Sequence, residues 1–191
     1  MFLLMSAPRI VAILWLLFYA YWMIAALGVK KNVRTQGQTK RWGLRFLVIA
    51  GIILLLRVPG LRRELLHYQT VHLGPASEFV GFVLCLCGFA FAIWARLHLG
   101  RNWGQPMTLK QGHELVTTGP YRFVRHPIYT GIGLALLGST IVTPLWIVAF
   151  VCLTGYFVYS ARTEERIMTS QFPDQYPEYK DRTKMLVPLV W

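Results

Sequence analysis

Two polar blocks hold the residue types that could do chemistry in this chain of 191 residues. In the first block, GPYRFVRHPIYTGIG, His126 and Tyr129 are three residues apart, so a helix would present both on one face. The second block, ARTEER, contains the adjacent carboxylates Glu164 and Glu165. Carboxylates at such a place could hold a positively charged group of a ligand near a membrane.

The two glutamates stand out because the whole chain has only eight acidic residues. They follow an apolar segment, at a predicted helix C-terminus, where the helix dipole favours cations over carboxylates. One interpretation is ordinary ion pairing with Arg162 or Arg166 at helical spacing, and the other is a ligand cation. Likewise, His126 and Tyr129 could simply anchor a helix at the membrane interface. The residues alone leave these alternatives open.

Prolines and glycines shape the first block. Pro127 suits the first turn of a helix, and the pair Gly119 and Pro120 predicts a tight turn before it. The stretch GIGLALLG lacks the Gly-x-Gly-x-x-Gly spacing of a dinucleotide-binding loop and lies in an apolar run. We therefore predict that Gly131 and Gly133 serve close packing between helices.

Composition places these blocks in a membrane protein. The chain is 55% hydrophobic and 15% charged, whereas soluble domains average about 25% charged residues. Its net charge of +12 is distributed between apolar segments, which is how membrane proteins set their orientation. No nucleic-acid recognition motif accompanies the charge, and the five histidines show no metal-ligand spacing. The sequence predicts membrane lipids as surroundings, and neither nucleic acid nor metal as a partner.

Five apolar segments must position the two blocks, at residues 10–29, 43–59, 79–98, 128–142 and 145–161. The first segment is long enough to span the hydrocarbon core, and its basic cluster follows it, which favours a retained span over a signal peptide. Thr143 and Pro144 separate the last two segments and predict a tight helical hairpin. We predict an all-α integral membrane protein of about five transmembrane helices, forming a single domain over residues 1–191.

A hairpin brings its two ends together, so the histidine and tyrosine of the first block should lie close to the glutamates of the second. With five spans, most loop cations fall on one side of the membrane, which the positive-inside rule makes cytoplasmic. These cations include Lys30, Lys31, Arg34, Arg96, Arg101, Lys110, Arg122, Arg125, Arg162, Arg166 and Lys180. Arg45 and Arg57, near the ends of the second segment, could snorkel to the interfaces.

The polar blocks resemble the isoprenylcysteine carboxyl methyltransferase family and its bacterial relatives. The resemblance rests on LGRNW, then GHELVTTGPYRFVRHPIYTG, then RTEERIM, then FPDQYPEYKDRTKMLVP, in this order and with a hairpin between the blocks. It covers residues 96–191, which would form the cofactor-binding catalytic core. Residues 1–95 agree only in being hydrophobic and would form N-terminal transmembrane helices.

The resemblance implies an integral-membrane methyltransferase that uses S-adenosylmethionine, with a cofactor site at the cytoplasmic end of the last hairpin. Glu164 would hold the amino group of the cofactor, with Glu165 in support. The other residues matched to cofactor contacts are His113, Glu114, Leu115, Val116, Tyr121, His126, Pro127, Ile128 and Tyr129. A carboxylate with aromatic and aliphatic surfaces suits a ligand that carries a sulfonium, an ammonium and an adenine.

One position departs from the family pattern. An arginine commonly lies four residues before the first glutamate and faces the methyl acceptor, but Ser160 stands there in this chain. We predict Arg162 as its replacement and Arg125 as a second candidate for the catalytic role, although Arg125 could equally mark the cytoplasmic side of the membrane.

The residues favour a carboxylate as the methyl acceptor, or a small thiol that ionises easily, and the resemblance implies an isoprenylcysteine-like or other lipophilic molecule. A carboxylate is already ionised at neutral pH and needs an arginine for orientation, not a general base. Alternatives are S-methylation of a small thiol, N-methylation of a phospholipid amine, or a non-catalytic transporter or binding subunit. A transporter should have polar residues within its spans, and these spans have few. The expected location is the inner membrane of a prokaryote, with the site facing the cytoplasm.

Overall fold

The computed structural model describes residues 6–27, 32–35, 38–72, 74–100, 103, 108–110 and 115–188. Seven α-helices make up most of this part of the chain. They are α1 (Ala7–Ala26), α2 (Gln38–Leu56), α3 (Pro59–His72), α4 (Pro75–Leu99), α5 (Pro127–Val142), α6 (Trp146–Gln171) and α7 (Gln175–Arg182). A short 3-10 turn, Gly119–Arg122, precedes α5. The predicted all-α class is confirmed.

A two-stranded antiparallel ribbon adds to the predicted helices. Strand β1 (Asn32–Thr35) follows α1, and strand β2 (Thr108–Lys110) follows α4. In the register, Asn32 lies opposite Lys110 and Thr35 lies opposite Thr108. The ribbon therefore joins the connections that leave α1 and α4.

Within the described residues, most of each of the five predicted apolar segments is helical. Among the described residues, α1, α4 and α6 are long and apolar enough to cross a membrane, and α2 with the first part of α3 gives a fourth candidate that bends by 71°. Helix α5 has 16 residues and so a length of about 24 Å, which is shorter than the hydrocarbon core of about 30 Å. Five spans therefore remain a prediction.

The break between α5 and α6 lies where proline predicts it, but α6 is longer than its apolar part. Helix α5 ends at Val142 and α6 begins at Trp146. The predicted segment ended at Ala161, whereas α6 continues to Gln171. The two glutamates therefore lie inside the helix, and the prediction that they stand at its C-terminus is wrong. The extension is possible because residues 162–171, RTEERIMTSQ, include neither glycine nor proline to end the helix.

Helix α5 packs mainly against α4 through backbone-to-backbone contact. A Cβ placed on Gly88 would lie 2.6 Å from the carbonyl oxygen of Gly131, and one on Gly131 would lie 2.6 Å from the backbone nitrogen of Ala92. No side chain fits at such distances, which confirms the predicted packing role of Gly131. The same role predicted for Gly133 is wrong, because no atom lies within 4 Å of a Cβ there. Gly133 is two residues beyond Gly131, so its side-chain position points about 200° away from that of Gly131 around the helix axis.

Helix α1 covers the α4–α5 pair with aromatic side chains. The ring of Phe18 stacks on Phe89 of α4 with 4.7 Å between centroids. The indole of Trp15 donates a hydrogen bond of 2.9 Å to the hydroxyl of Ser139 in α5. Phe89 and Ser139 are buried, so this contact forms the apolar core of the bundle and satisfies a polar group inside it.

Two arginines lie in other places than the sequence predicts. Arg96, expected as a loop cation, is a buried residue of α4 whose guanidinium donates to the carbonyls of Ala25 (2.5 Å) and Gly100 (3.0 Å). It therefore satisfies carbonyls at two helix C-termini. Arg45 of α2, expected to snorkel to the interface, donates from Nε to the hydroxyl of Tyr156 in α6 at 3.0 Å. That bond connects the outer helix α2 to the hairpin.

Candidate active site

Glu165 of α6 is the centre of a buried ion-pair cluster. Its Oε1 lies 2.6 Å from Nε of Arg125, and its Oε2 lies 3.2 Å from Nζ of Lys180. The side chains of Glu165 and Arg125 are each 8% exposed, whereas that of Lys180 is 51% exposed. Arg125 also donates to the carbonyl oxygens of Lys180 and Thr183. One guanidinium thus connects the loop before α5, helix α6 and the C-terminal end of α7.

Glu164, the neighbouring carboxylate, has different partners. The hydroxyl of Tyr129 donates a short hydrogen bond of 2.5 Å to Oε1 of Glu164. The Nδ1 atom of His126 lies 3.6 Å from the other oxygen of Glu164, while its Nε2 lies 3.6 Å from Oε1 of Glu165. The imidazole therefore lies between the two carboxylates. The side chain of Glu164 is 24% exposed, so this carboxylate remains accessible from the surface.

Three aromatic rings form one wall of the site. The ring of His126 stacks on that of Tyr129 at 5.6 Å and 11°, and Tyr129 stacks on Phe157 of α6 at 4.8 Å and 8°. His126 precedes α5 and Tyr129 is its third residue, so the spacing predicted from sequence places both rings on the side that faces α6. The stack fixes the tyrosine hydroxyl toward Glu164.

The C-terminal segment supports the loop that carries Arg125 and His126. The backbone N–H of Arg125 donates to the carbonyl of Lys184 at 2.8 Å, and that of His126 donates to Met185 at 3.1 Å. One turn further, the hydroxyl of Thr130 donates to the carbonyl of Leu186 at 2.7 Å. These hydrogen bonds lie before and after the start of α5, and together they hold the imidazole of His126 in place.

The two carboxylates determine the charge state of His126. Burial alone lowers the pKa of the imidazole, but the nearby carboxylates of Glu164 and Glu165 outweigh burial and raise the pKa above its usual value of 6.5. A protonated His126 offsets part of the negative charge of the glutamate pair. The site is thus built to hold positive charge between two carboxylates.

We expect the stability of the protein to fall as the pH rises through the folded-state pKa of His126. That pKa is raised above the unfolded value, so the stabilisation is fully present below pH 6.5 and is lost above the folded-state pKa. The thermal midpoint of the detergent-solubilised protein, measured at several pH values, should decline over this interval. His126→Gln should flatten the decline. His98→Gln is the control, since His98 contacts the hydroxyl of Thr118 and not a carboxylate; equal slopes in all three proteins would contradict the prediction.

The structure brings together five of the residues predicted for the site: Arg125, His126, Tyr129, Glu164 and Glu165. Pro127 is buried as the first residue of α5, as predicted. Leu115, Val116 and Ile128 are partly buried. His113 and Glu114 lie outside the described residues.

Tyr121 is buried at a distance from the hydrogen bonds of this cluster. Its hydroxyl donates to the carbonyl of Ala95 in α4 at 3.5 Å, and its own carbonyl accepts a bond of 2.6 Å from the hydroxyl of Tyr179. Burial, before any charge, raises the pKa of the Tyr121 hydroxyl far above its usual range. The side chain therefore stays neutral and connects α4 to α7.

The two arginines predicted to act on the acceptor have different surroundings. Arg162 is exposed and forms no hydrogen bond or ion pair within the described part of the chain. In the structure, Glu165 pairs with Arg125 and Lys180 and not with Arg162 or Arg166. Arg125 is engaged by that carboxylate and by two carbonyls, which suits a positioning residue.

Sequence reasoning did not assign roles to Lys180, Thr183 or Phe157. The first two lie in FPDQYPEYKDRTKMLVP, a stretch that contributed to the resemblance without a role for its residues. Phe157 lies seven residues before Glu164, which is two helical turns on the same face. That spacing is the signal that could have placed its ring beside the site.

Comparisons with known proteins show which family the chain resembles in sequence. The profile of the isoprenylcysteine carboxyl methyltransferase (ICMT) family matches residues 80–170, which include α5 and nearly all of α6. A protein-S-isoprenylcysteine O-methyltransferase of Schizosaccharomyces pombe is 27% identical over 90% of this chain and 68% of its own length. The cobalt-zinc-cadmium resistance protein CzcN of Cupriavidus metallidurans is 31% identical over 68% of this chain and 69% of its own length.

The chain belongs to the isoprenylcysteine carboxyl methyltransferase family. It is therefore an integral membrane methyltransferase, and the cluster around Glu164 and Glu165 lies within the matched residues.

A solved structure of a eukaryotic intramembrane Ras methyltransferase, isoprenylcysteine carboxyl methyltransferase, has the same fold. It matches this ICMT-family protein with a TM-score of 0.54 and 21% identity, over 82% of this chain and 55% of that one. The family member described here thus spans about half the length of that eukaryotic protein.

Proposed function

We propose that this ICMT-family protein transfers a methyl group from S-adenosylmethionine to the carboxylate of an isoprenylcysteine-like or other lipophilic acceptor. The observation that carries the proposal is the meeting of Glu164 and Glu165 with His126 and Tyr129 in one partly buried site. The excess of lysine and arginine in the flanking connections supports a site on the cytoplasmic face. The membrane assigned in this proposal is the inner membrane of a prokaryote.

The residues present suit S-adenosylmethionine, which supplies a methyl group attached to a positively charged sulfur. We assign its ammonium to Glu164, whose carboxylate is partly exposed and lies beside the hydroxyl of Tyr129 and the imidazole of His126. The Nε2 atom of His126 is buried without a hydrogen-bond partner among the described residues, so it offers a further polar contact. The stack of His126, Tyr129 and Phe157 offers a flat surface for ligand groups.

The remaining residues of the site have supporting roles in this proposal. Arg125 and Lys180 neutralise Glu165 and hold it beside His126. Further cofactor contacts, carried over from the family resemblance, are His113, Glu114, Leu115, Val116, Tyr121, Pro127 and Ile128. Lipid-facing helices around the site would let a lipophilic acceptor approach from the bilayer.

A carboxylate acceptor fits a site without a dedicated general base. An α-carboxyl has a pKa of about 3.3–3.7, so it is ionised at neutral pH. Bound S-adenosylmethionine would supply the methyl group, which the carboxylate oxygen would accept while the electron pair of the broken carbon–sulfur bond stays on sulfur. The product would be a methyl ester, and no proton would be transferred. A thiol or an amine would also have to lose a proton.

The test is methyl transfer by the purified full chain in lipid nanodiscs. Three acceptors would each be supplied with radiolabelled S-adenosylmethionine: an N-acylated S-farnesylcysteine, a small alkyl thiol, and phosphatidylethanolamine in the nanodisc. We expect label in a base-labile methyl ester of the first. Label confined to the thiol or the phospholipid would replace the acceptor in the proposal. No binding of S-adenosylmethionine by calorimetry would overturn the whole proposal.

A further inference from the structure

Arg45 is a charged residue near the start of the apolar part of α2. Between Gly43 and Leu56 of α2 it is the only charged side chain. A charge within a membrane helix is costly, and such residues generally face a protein partner and a functional pathway. The partner here is in α6, because Nε of Arg45 donates to the hydroxyl of Tyr156 at 3.0 Å. The guanidinium therefore faces the helix that carries Glu164.

Tyr156, Ser160 and Glu164 form a continuous stripe on α6. They are spaced four residues apart, so they lie roughly above one another on the helix. The rise from Tyr156 to Glu164 is about 12 Å. The stripe therefore has a cation at one end, supplied by Arg45, and a carboxylate at the other. This length of about 12 Å is enough for two small ligand groups to bind side by side.

Tyr129 joins the two ends of this stripe. Its hydroxyl contacts Glu164 and its ring stacks on Phe157. The ring of Phe157 lies 6.0 Å from that of Tyr156, the residue that Arg45 contacts. These aromatic side chains connect Arg45 with the candidate cofactor site, although the arginine comes from a helix far away in sequence.

Ser160 lies halfway along the stripe and has an unusual hydroxyl. Ser160 is fully buried, and its Oγ has no hydrogen-bond partner among the described residues. Buried hydroxyls are normally paired, since leaving one unpaired costs free energy. An oxygen atom of a bound ligand would satisfy it.

The other two candidate arginines are less suited to this role. Arg162 is exposed and two residues beyond Ser160, so it turns about 200° away from that side chain on the helix. Arg125 already contacts Glu165 and two carbonyls. Arg45 is the cation that the structure places along the stripe.

We propose that Arg45 binds the anionic group of the methyl acceptor, at the end of the α6 stripe opposite Glu164, with the hydroxyl of Ser160 beside it. This inference rests on the proposed function. Arg45 then determines a preference for acceptors that carry a carboxylate. The positive charge of the guanidinium attracts the carboxylate, and the acceptor's apolar chain extends between the lipid-facing helices.

The test compares Arg45→Met, Arg45→Lys and Arg162→Met with the control Arg57→Met, which removes an exposed arginine just beyond the other end of α2. The acceptor is the N-acylated S-farnesylcysteine, and its neutral carboxamide serves as a competitive inhibitor. We expect Arg45→Met to raise the acceptor KM by about 10- to 100-fold and Arg45→Lys to raise it less. The affinity for S-adenosylmethionine and the inhibition by the carboxamide should change less than about twofold.

Several results would overturn this inference. An unchanged acceptor KM in Arg45→Met would do so, as would a larger increase in Arg162→Met, which would return the role to Arg162. Loss of carboxylate and carboxamide binding together would show a structural role only. The Arg45→Lys variant and the thermal midpoint of each protein identify misfolding. A parent protein that binds no S-adenosylmethionine would instead refute the proposed function, independently of any Arg45 variant.

Discussion

We expect Glu164→Gln to lower the affinity of the protein for S-adenosylmethionine by about a hundredfold, or about 3 kcal/mol. Glutamine keeps the shape of the side chain and can still accept the hydrogen bond from Tyr129. It removes the negative charge to which the proposal assigns the ammonium of the ligand. Isothermal calorimetry at a fixed ionic strength measures the change directly, without requiring any knowledge of the methyl acceptor.

The matched control for this measurement is Glu178→Gln. The side chain of Glu178 is 70% exposed and pairs with Arg182 at 3.5 Å within α7. It removes the same charge from the protein, so any general electrostatic effect appears in both variants. We expect its affinity to equal that of the parent. If Glu164→Gln and Glu178→Gln bind equally tightly, Glu164 does not hold the ligand, and the assignment of the ammonium is wrong.

Arg125→Met should have the largest effect on stability, a loss of about 3–5 kcal/mol in the free energy of unfolding. The substitution keeps much of the apolar volume but leaves the carboxylate of Glu165 buried without its closest cation. It also leaves the carbonyls of Lys180 and Thr183 without a donor. Unfolding in mixed detergent micelles, followed by far-UV circular dichroism, provides the measurement.

Lys180→Met distinguishes the contribution of burial to stability from the contribution of charge. Lys180 contacts the same carboxylate, 3.2 Å from Oε2, but its side chain is 51% exposed. Exposed ion pairs contribute only about 0–1 kcal/mol, so this variant should lose far less stability than Arg125→Met. Equal losses in the two variants would show that Arg125 is no more important to the fold than a surface cation.

The meeting of His126 with the glutamates could be predicted from the sequence, whereas the partners of Arg125 could not. Apolar run lengths and a proline break are local signals, and they were enough to define a hairpin whose ends meet. The contacts of Arg125 to Lys180 and Thr183 depend on a C-terminal segment that folds back along the start of α5. Nothing in the local pattern of that segment indicates its direction.

The sequence predicts the contacts of charged side chains within helices less well than those of charged side chains in loops. The sequence treats Arg45 and Arg96 as interfacial cations, because the positive-inside rule uses only their position along the chain. Their actual partners are a tyrosine in α6 and the carbonyls at two helix ends. These partners depend on which helices are neighbours, which hydropathy does not reveal. The prediction that Arg162 contacts the acceptor likewise rests only on its proximity in sequence to the two glutamates.

The glycine contact between α4 and α5 extends the constraints of catalysis deep into the bilayer. Most lipid-facing leucines, isoleucines and valines can exchange with one another during evolution at little cost, since lipid accepts any of them. Gly88 and Gly131 cannot grow by even a methyl group without separating the backbones. Such a separation would shift Tyr129, which is two residues from Gly131. We therefore expect Gly88→Ala and Gly131→Ala to disturb the candidate site, although neither glycine lies in it.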